Sequence, residues 1–107
     1  MERIYNKLVR NNIPDIIKEN GEMPVIRVLD DTSYKSELEK KLYEEYKEVI
    51  ESKGIDRIEE LADMLEVIKA LASLENKTLD DVIKTADEKS QKRGAFDKKI
   101  FLEKVIC

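Results

Sequence analysis

The sequence predicts a mainly α fold, a helical bundle of three long helices with a short N-terminal helix and a small two-stranded appendage. Only 3 glycines and 2 prolines interrupt the 107 residues, and charged and apolar residues each make up 41%. This composition is typical of helix-rich soluble proteins, and apolar residues recur at helical spacing along most of the chain. The length fits one domain spanning residues 1–107, because domains usually contain about 100–150 residues.

A short helix and an extended segment form the predicted N-terminal part. Asn11 and Asn12 offer an N-cap for the short helix, and Gly21 lies beyond its end. Residues 25–29 are few and β-branched, which favours a strand. We expect this strand to pair with a terminal strand at residues 100–106, forming the two-stranded appendage.

Three long helices are predicted between these strands. The first runs from candidate N-caps at residues 31–33 to about Ser52. The second covers residues 56–75 and begins with a D-x-x-E capping pattern. The third runs from Thr78 to about Gly94. Because the connections are short, consecutive helices are expected to be antiparallel neighbours in a bundle.

Composition excludes several kinds of chemistry and partner. The chain has no histidine and 1 cysteine, which excludes Ser-His-Asp catalysis, histidine or cysteine zinc sites and an intrachain disulfide. The net charge of −4 disfavours a general nucleic-acid binder. No apolar run approaches the roughly 20 residues of a membrane span. We therefore expect a cytoplasmic protein that binds neither nucleic acid nor membrane.

Carboxylates interrupt the apolar faces of the two central helices. With about 100° per residue, Glu60 falls inside the apolar arc of the helix 56–75 and Asp63 lies at its edge. On the preceding helix, Glu45 borders the apolar arc and Glu48 follows one turn later. Burying carboxylates together is costly unless a cation neutralises them, and Mg²⁺ prefers oxygen ligands. These two pairs therefore predict a magnesium site between facing helices.

The same acidic residues resemble a family signature. The segments Leu42–Glu48 and Glu60–Asp63 resemble the E-E-x-x-E … E-x-x-D pattern of the MazG-like and phosphoribosyl-ATP pyrophosphohydrolase-like all-α nucleotide pyrophosphatases. Two outer segments, Tyr5–Arg10 and Lys92–Gly94, resemble the opening and the basic turn of a short, single-domain MazG-like subgroup. The resemblance therefore extends over nearly the whole chain.

This resemblance implies Mg²⁺-dependent hydrolysis of a nucleoside triphosphate between the α- and β-phosphates, giving a monophosphate and pyrophosphate. The implied metal ligands are Glu45, Glu48, Glu60 and Asp63. Either Glu45 or Glu48 is expected to orient or deprotonate the attacking water, with Glu44 ranked lower. Phosphate charge also needs basic side chains, and the candidates are Lys7, Arg10, Lys92 and Arg93.

Two other interpretations remain open from the sequence. The same motifs fit phosphoribosyl-ATP pyrophosphohydrolase activity in histidine biosynthesis, with only the substrate changed. A non-catalytic helical interaction module belongs to a different class. The helix 56–75 is apolar around more than half of its circumference, which predicts a homodimer or homotetramer under each interpretation.

Overall fold

Four helices and no strand form the regular structure of the computed structural model, which describes all 107 residues. In chain order they are α1 (Ile13–Glu19), α2 (Asp31–Glu51), α3 (Gly54–Leu74) and α4 (Leu79–Arg93). The mainly α class, the short first helix and the three long helices are thereby confirmed. None of the helices is long and apolar enough to span a membrane.

Side-chain caps fix the starts of α2 and α4. The Asp30 carboxylate accepts a hydrogen bond from the Ser33 backbone N–H at 2.7 Å, so the N-cap of α2 lies one residue before the predicted candidates at 31–33. Thr78 caps α4 as predicted, in a capping box in which Asp81 accepts from the Thr78 backbone N–H at 2.8 Å. These bonds to the charged form lower the pKa of both Asp30 and Asp81.

The start of α3 differs from the prediction. The helix begins at Gly54 and not at Asp56, and its N-cap residue, Lys53, makes no side-chain capping bond. Gly54 has φ of 59°, a left-handed value that glycine adopts without steric cost. The glycine therefore lets the chain reverse direction within Ser52 and Lys53, between the end of α2 and the start of α3.

The tertiary structure centres on a helical hairpin formed by α2 and α3. Leu38 from α2 and Val67 from α3 are buried, at 3% and 7% exposure. The remaining buried residue is Glu45, at 6% exposure. Helix α4 contacts α3 but not α2. The best-packed part of the chain is therefore the seam between α2 and α3.

Much surface remains uncovered in the single chain. Its radius of gyration is 18.5 Å, whereas a compact domain of this length has about 13 Å. Its accessible surface is 10202 Å², whereas a folded monomer of this mass exposes about 6,200 Å². The isolated chain thus leaves about 4,000 Å² exposed that a monomeric domain of its size would bury.

The predicted two-stranded appendage is wrong, since residues 25–29 and 100–106 form no strand. Val25 and Val28 are exposed at 96% and 95%, and Phe101 and Ile106 at 85% and 86%. β-branched and aromatic residues favour strands chiefly through packing against neighbours on a sheet. Here neither segment has such a neighbour, so the favourable side-chain pattern does not produce a strand.

Candidate functional site

Three carboxylates converge at the seam of the α2–α3 hairpin. Glu45 lies on α2, and Glu60 and Asp63 lie one turn apart on α3. One carboxylate oxygen from each lies within 4.8 Å of the other two. Glu48, one turn beyond Glu45, interacts with both Glu45 and Glu60. We call Glu45, Glu48, Glu60 and Asp63 the acidic seam.

The helix periodicity explains why these four residues meet. Glu45 lies about 20° around α2 from the buried Leu38, and Glu60 lies about 20° around α3 from the buried Val67. Both therefore point into the helix contact. In an antiparallel hairpin with a short connection, residues equally far from the turn are level, which pairs Glu45 with Glu60. Glu48 lies one turn from Glu45 along α2, and Asp63 lies one turn from Glu60 along α3. Both are rotated around their helices toward the same side of the α2–α3 contact.

The acidic seam contains unpartnered oxygens. Glu45 Oε2 and Glu60 Oε2 are buried and have no hydrogen-bond partner. Two carboxylates cannot donate to each other when both are ionised, which explains the missing bonds. Buried polar atoms are normally satisfied, so two orphaned acceptors beside each other indicate a position suited to a cation or a proton.

The electrostatics agree with that interpretation. Burial raises the pKa of Glu45, and the nearby Glu48 carboxylate raises it further. The pKa of Glu60 is raised to about 7, first by a hydrogen bond to Glu48 that Glu60 donates only when protonated, and then by desolvation and neighbouring carboxylates. With a pKa of about 7, the Glu60 carboxyl is about half protonated near neutral pH when no cation is bound.

Two basic residues approach the acidic seam. Arg10 Nη2 donates to Asp63 Oδ1 at 2.6 Å, which ties the N-terminal segment to α3. Lys41 Nζ lies 3.9 Å from Glu45 Oε1 and 3.7 Å from Glu44 Oε2. Arg10 was predicted to bind a phosphate, and Lys41 was not among the predicted site residues. The spacing of four residues between Lys41 and Glu45 on one helix was the available signal.

The other predicted phosphate-binding residues lie elsewhere. Lys7 is exposed, and its Nζ lies 5.6 Å from the centre of the Tyr5 ring. Lys92 and Arg93 are exposed in the last turn of α4 and form no ion pair within the chain. Helix α4 contacts α3 but not α2, and neither cation forms an ion pair with a carboxylate of the acidic seam.

The acidic seam has the donor chemistry that a hard divalent cation requires. It offers only carboxylate oxygens, which suit Mg²⁺, and none of the nitrogen or sulfur ligands that favour zinc or copper. The orphaned Glu45 and Glu60 oxygens show that the hairpin does not satisfy these groups by itself. Glu45, Glu60 and Asp63 therefore fit a magnesium site, and Glu48 lies beside them.

Comparisons with known proteins leave the family open. No protein-family model matches the chain, and no solved structure matches it. It is similar to an uncharacterized protein of Mycolicibacterium smegmatis, with 46% identity over 43 residues. The matched stretch covers 40% of this chain and 44% of the relative. The chain thus spans less than half of the length of that relative.

Proposed function

We propose that this protein is a Mg²⁺-dependent nucleotide pyrophosphohydrolase that cleaves a nucleoside triphosphate between its α- and β-phosphates. The observation that carries this proposal is the acidic seam, where Glu45 and Glu60 keep buried oxygens without partners. Two buried carboxylates side by side repel each other when both are ionised, so at neutral pH Glu45 and Glu60 require a proton or a cation. The resemblance of the two acidic segments to the MazG-like signature supports the choice of nucleotide as substrate.

The residues of the chain take separate roles in this proposal. Glu45, Glu60 and Asp63 hold the metal, which supplies polarisation of the phosphoryl oxygens and charge stabilisation for the leaving pyrophosphate. Glu48 is exposed beside Glu60, so its carboxylate is accessible to accept a proton from the attacking water. Arg10 offers a planar fork of donors to a phosphate oxygen once it leaves Asp63.

The test measures pyrophosphate release from a nucleotide panel that includes phosphoribosyl-ATP, with and without Mg²⁺. Glu60→Gln removes one charge from the acidic seam, and Glu59→Gln removes one charge from the adjacent exposed residue. We expect Glu60→Gln to lower kcat/KM at least about 100-fold, because even residues that only support a metal ligand change activity by 10–100-fold. The Glu59→Gln control keeps activity within about twofold, as expected of an exposed residue away from the site.

Each outcome separates the open interpretations. Release from phosphoribosyl-ATP alone identifies the histidine-pathway substrate, and release from several triphosphates identifies a broader nucleotide hydrolase. If calorimetry detects Mg²⁺ binding that Asp63→Asn abolishes, but no nucleotide releases pyrophosphate, the protein has the metal site without this activity. A chain that neither binds Mg²⁺ nor releases pyrophosphate is the non-catalytic interaction module.

A further inference from the structure

The acidic seam has two chemically different ends along the hairpin. Glu48 is the seam residue nearest to the loop between α2 and α3, and we call this the loop end. The opposite end carries two basic side chains, and we call it the cationic end. Lys41 lies there, one turn beyond Glu45 on α2. Arg10 lies there as well, because it bonds to Asp63, the seam residue farthest from the loop. The charge of the site therefore changes along its length.

Helix geometry puts Lys41 on the same side of the hairpin as the acidic seam. Lys41 lies about 60° around α2 from the buried Leu38, and Glu48 lies about 80° from it in the same sense. Lys41 and Glu48 are seven positions apart, which is about 10 Å along the helix axis, and Glu45 lies between them. The neighbouring Lys40 lies about 160° from Leu38 and therefore points away from the seam.

The ammonium group of Lys41 is available to another acceptor. Its Nζ lies 3.9 Å from Glu45 Oε1 and 3.7 Å from Glu44 Oε2, and both distances exceed that of a normal hydrogen bond. The side chain is nevertheless only 23% exposed, so it is held close to the seam. By contrast, Lys40 Nζ donates to Glu37 Oε1 at 3.1 Å and its side chain is 68% exposed. Lys41 thus keeps its N–H donors for a ligand.

Hydrolysis at the α-phosphorus requires the attacking and leaving oxygens to lie in line on opposite sides of that phosphorus. A water oxygen forms a bond to the α-phosphorus and gives its proton to Glu48. The bond from the α-phosphorus to the α–β bridging oxygen breaks, and pyrophosphate leaves with that oxygen and the electron pair. Because Glu48 accepts the proton at the loop end, the pyrophosphate has to leave toward the cationic end.

We infer that Lys41 binds the pyrophosphate portion of the substrate, so that the nucleotide lies along the acidic seam with its terminal phosphates away from the hairpin loop. An ammonium group at this position stabilises the negative charge that the leaving pyrophosphate gains. Arg10 lies at the same end but must first leave Asp63, whereas Lys41 has no hydrogen bond to give up. The inference rests on the proposed function, because it assigns the orientation of the substrate in that same site.

The test compares the binding of the two products by the full chain in Mg²⁺. Calorimetry measures inorganic pyrophosphate and a nucleoside monophosphate separately for the native chain, Lys41→Met and the matched control Lys40→Met. Both substitutions remove one positive charge from adjacent positions of α2 and keep an unbranched apolar side chain. We expect Lys41→Met to weaken pyrophosphate binding about tenfold or more, as a lost hydrogen bond to a charged group does. Monophosphate binding should change by less than about twofold, since only one product meets Lys41.

Two further variants sharpen the result. Lys40→Met should bind both products within about twofold of the native chain, because an exposed ion pair away from the seam contributes little. Lys41→Arg should retain most of the pyrophosphate affinity, because it keeps the charge and the donors. In turnover, Lys41→Met should lower kcat and weaken product inhibition by pyrophosphate, whereas Lys40→Met should change neither.

The inference is overturned if the native chain binds no pyrophosphate in Mg²⁺. It is also overturned if Lys41→Met weakens the two products equally, or affects only the monophosphate, or behaves like Lys40→Met. Failure of the proposed function gives a different result, in which no nucleotide releases pyrophosphate although pyrophosphate binding still depends on Lys41. If pyrophosphate is released and Lys41→Met binds it normally, the hydrolase proposal stands and only the assigned orientation is wrong.

Discussion

The two sides of the α2–α3 hairpin differ in what they leave unsatisfied. One side carries the acidic seam, where carboxylate oxygens are buried without partners. The other carries exposed apolar side chains on both helices, which we call the open apolar face: Ile58, Leu61 and Leu65 on α3, and Tyr43, Tyr46 and Ile50 on α2. The acidic seam offers oxygen ligands to a cation and the open apolar face offers a surface to a partner, so one hairpin combines a candidate ligand site with a candidate assembly site. The adjacent residues Glu60 and Leu61 belong to opposite sides, which makes the comparison testable at neighbouring positions.

The largest expected effect comes from placing a charge on the open apolar face. In Leu61→Glu, assembly would bury a carboxylate without a partner, which costs about 3–5 kcal/mol. Because the single chain has so little core, we expect the variant to lose both the oligomer and most of its helix signal at micromolar concentration. Sedimentation and circular dichroism measure the two losses. Glu66→Lys changes charge on the polar side of α3 and should retain both, and equal damage by the two variants would contradict a role specific to the face.

The second prediction concerns the pH dependence of the metal-free acidic seam. The pKa of Glu60 is about 7 in the folded chain, above its ordinary value of 4.5. A raised carboxyl pKa stabilises the fold fully below the ordinary value, and this contribution is lost as pH rises through the folded value. Metal-free protein should therefore lose stability between about pH 5 and pH 8. Glu60→Gln should be more stable than the native chain at pH 8 but not at pH 5.

Chemical denaturation in the presence of a chelator measures this difference. Added Mg²⁺ should restore stability at pH 8 in the native chain and not in Glu60→Gln, because the cation replaces the proton on the same oxygens. Apparent Mg²⁺ affinity should fall by up to about tenfold per pH unit below pH 7, since one proton competes with the metal. If the native chain and Glu60→Gln differ by the same amount at pH 5 and pH 8, Glu60 does not carry this titration.

Different parts of the molecule were predictable to different degrees, and the physical reason is the range of the interactions. Thr78 was identified because a capping box is local. Glu45 and Glu60 were identified because helix periodicity alone places Glu60 in the apolar arc of its helix and Glu45 at the border of the arc of the preceding one. The pairing of Arg10 with Asp63 joins residues 53 positions apart, and no local pattern specifies it. The prediction of two strands was wrong for a similar reason. Residues 25–29 and 100–106 are far apart in the chain, and their composition alone does not specify the tertiary contacts that strand pairing requires.

The smallest predicted effect concerns Arg10, which links the N-terminal segment to the acidic seam. Its guanidinium neutralises Asp63 in the metal-free chain, so it competes with any cation for that carboxylate. Arg10→Met should strengthen Mg²⁺ binding several-fold, an effect equivalent to about 1 kcal/mol. It should also raise the KM for nucleotide, because the phosphates lose a donor. Stability should change by less than about 1 kcal/mol, since the ion pair is exposed.

Arg3→Met supplies the matched control, because Arg3 forms an equally exposed ion pair with Glu22. It removes the same charge and a similar side chain from the same N-terminal segment. If the two variants bind Mg²⁺ with equal affinity, only the net charge of the segment matters and Arg10 has no specific contact with the metal site. If only Arg10→Met binds Mg²⁺ more tightly, the cation and the guanidinium compete for Asp63. The acidic side of the hairpin would then exchange one positive charge for another while the apolar side stays unchanged.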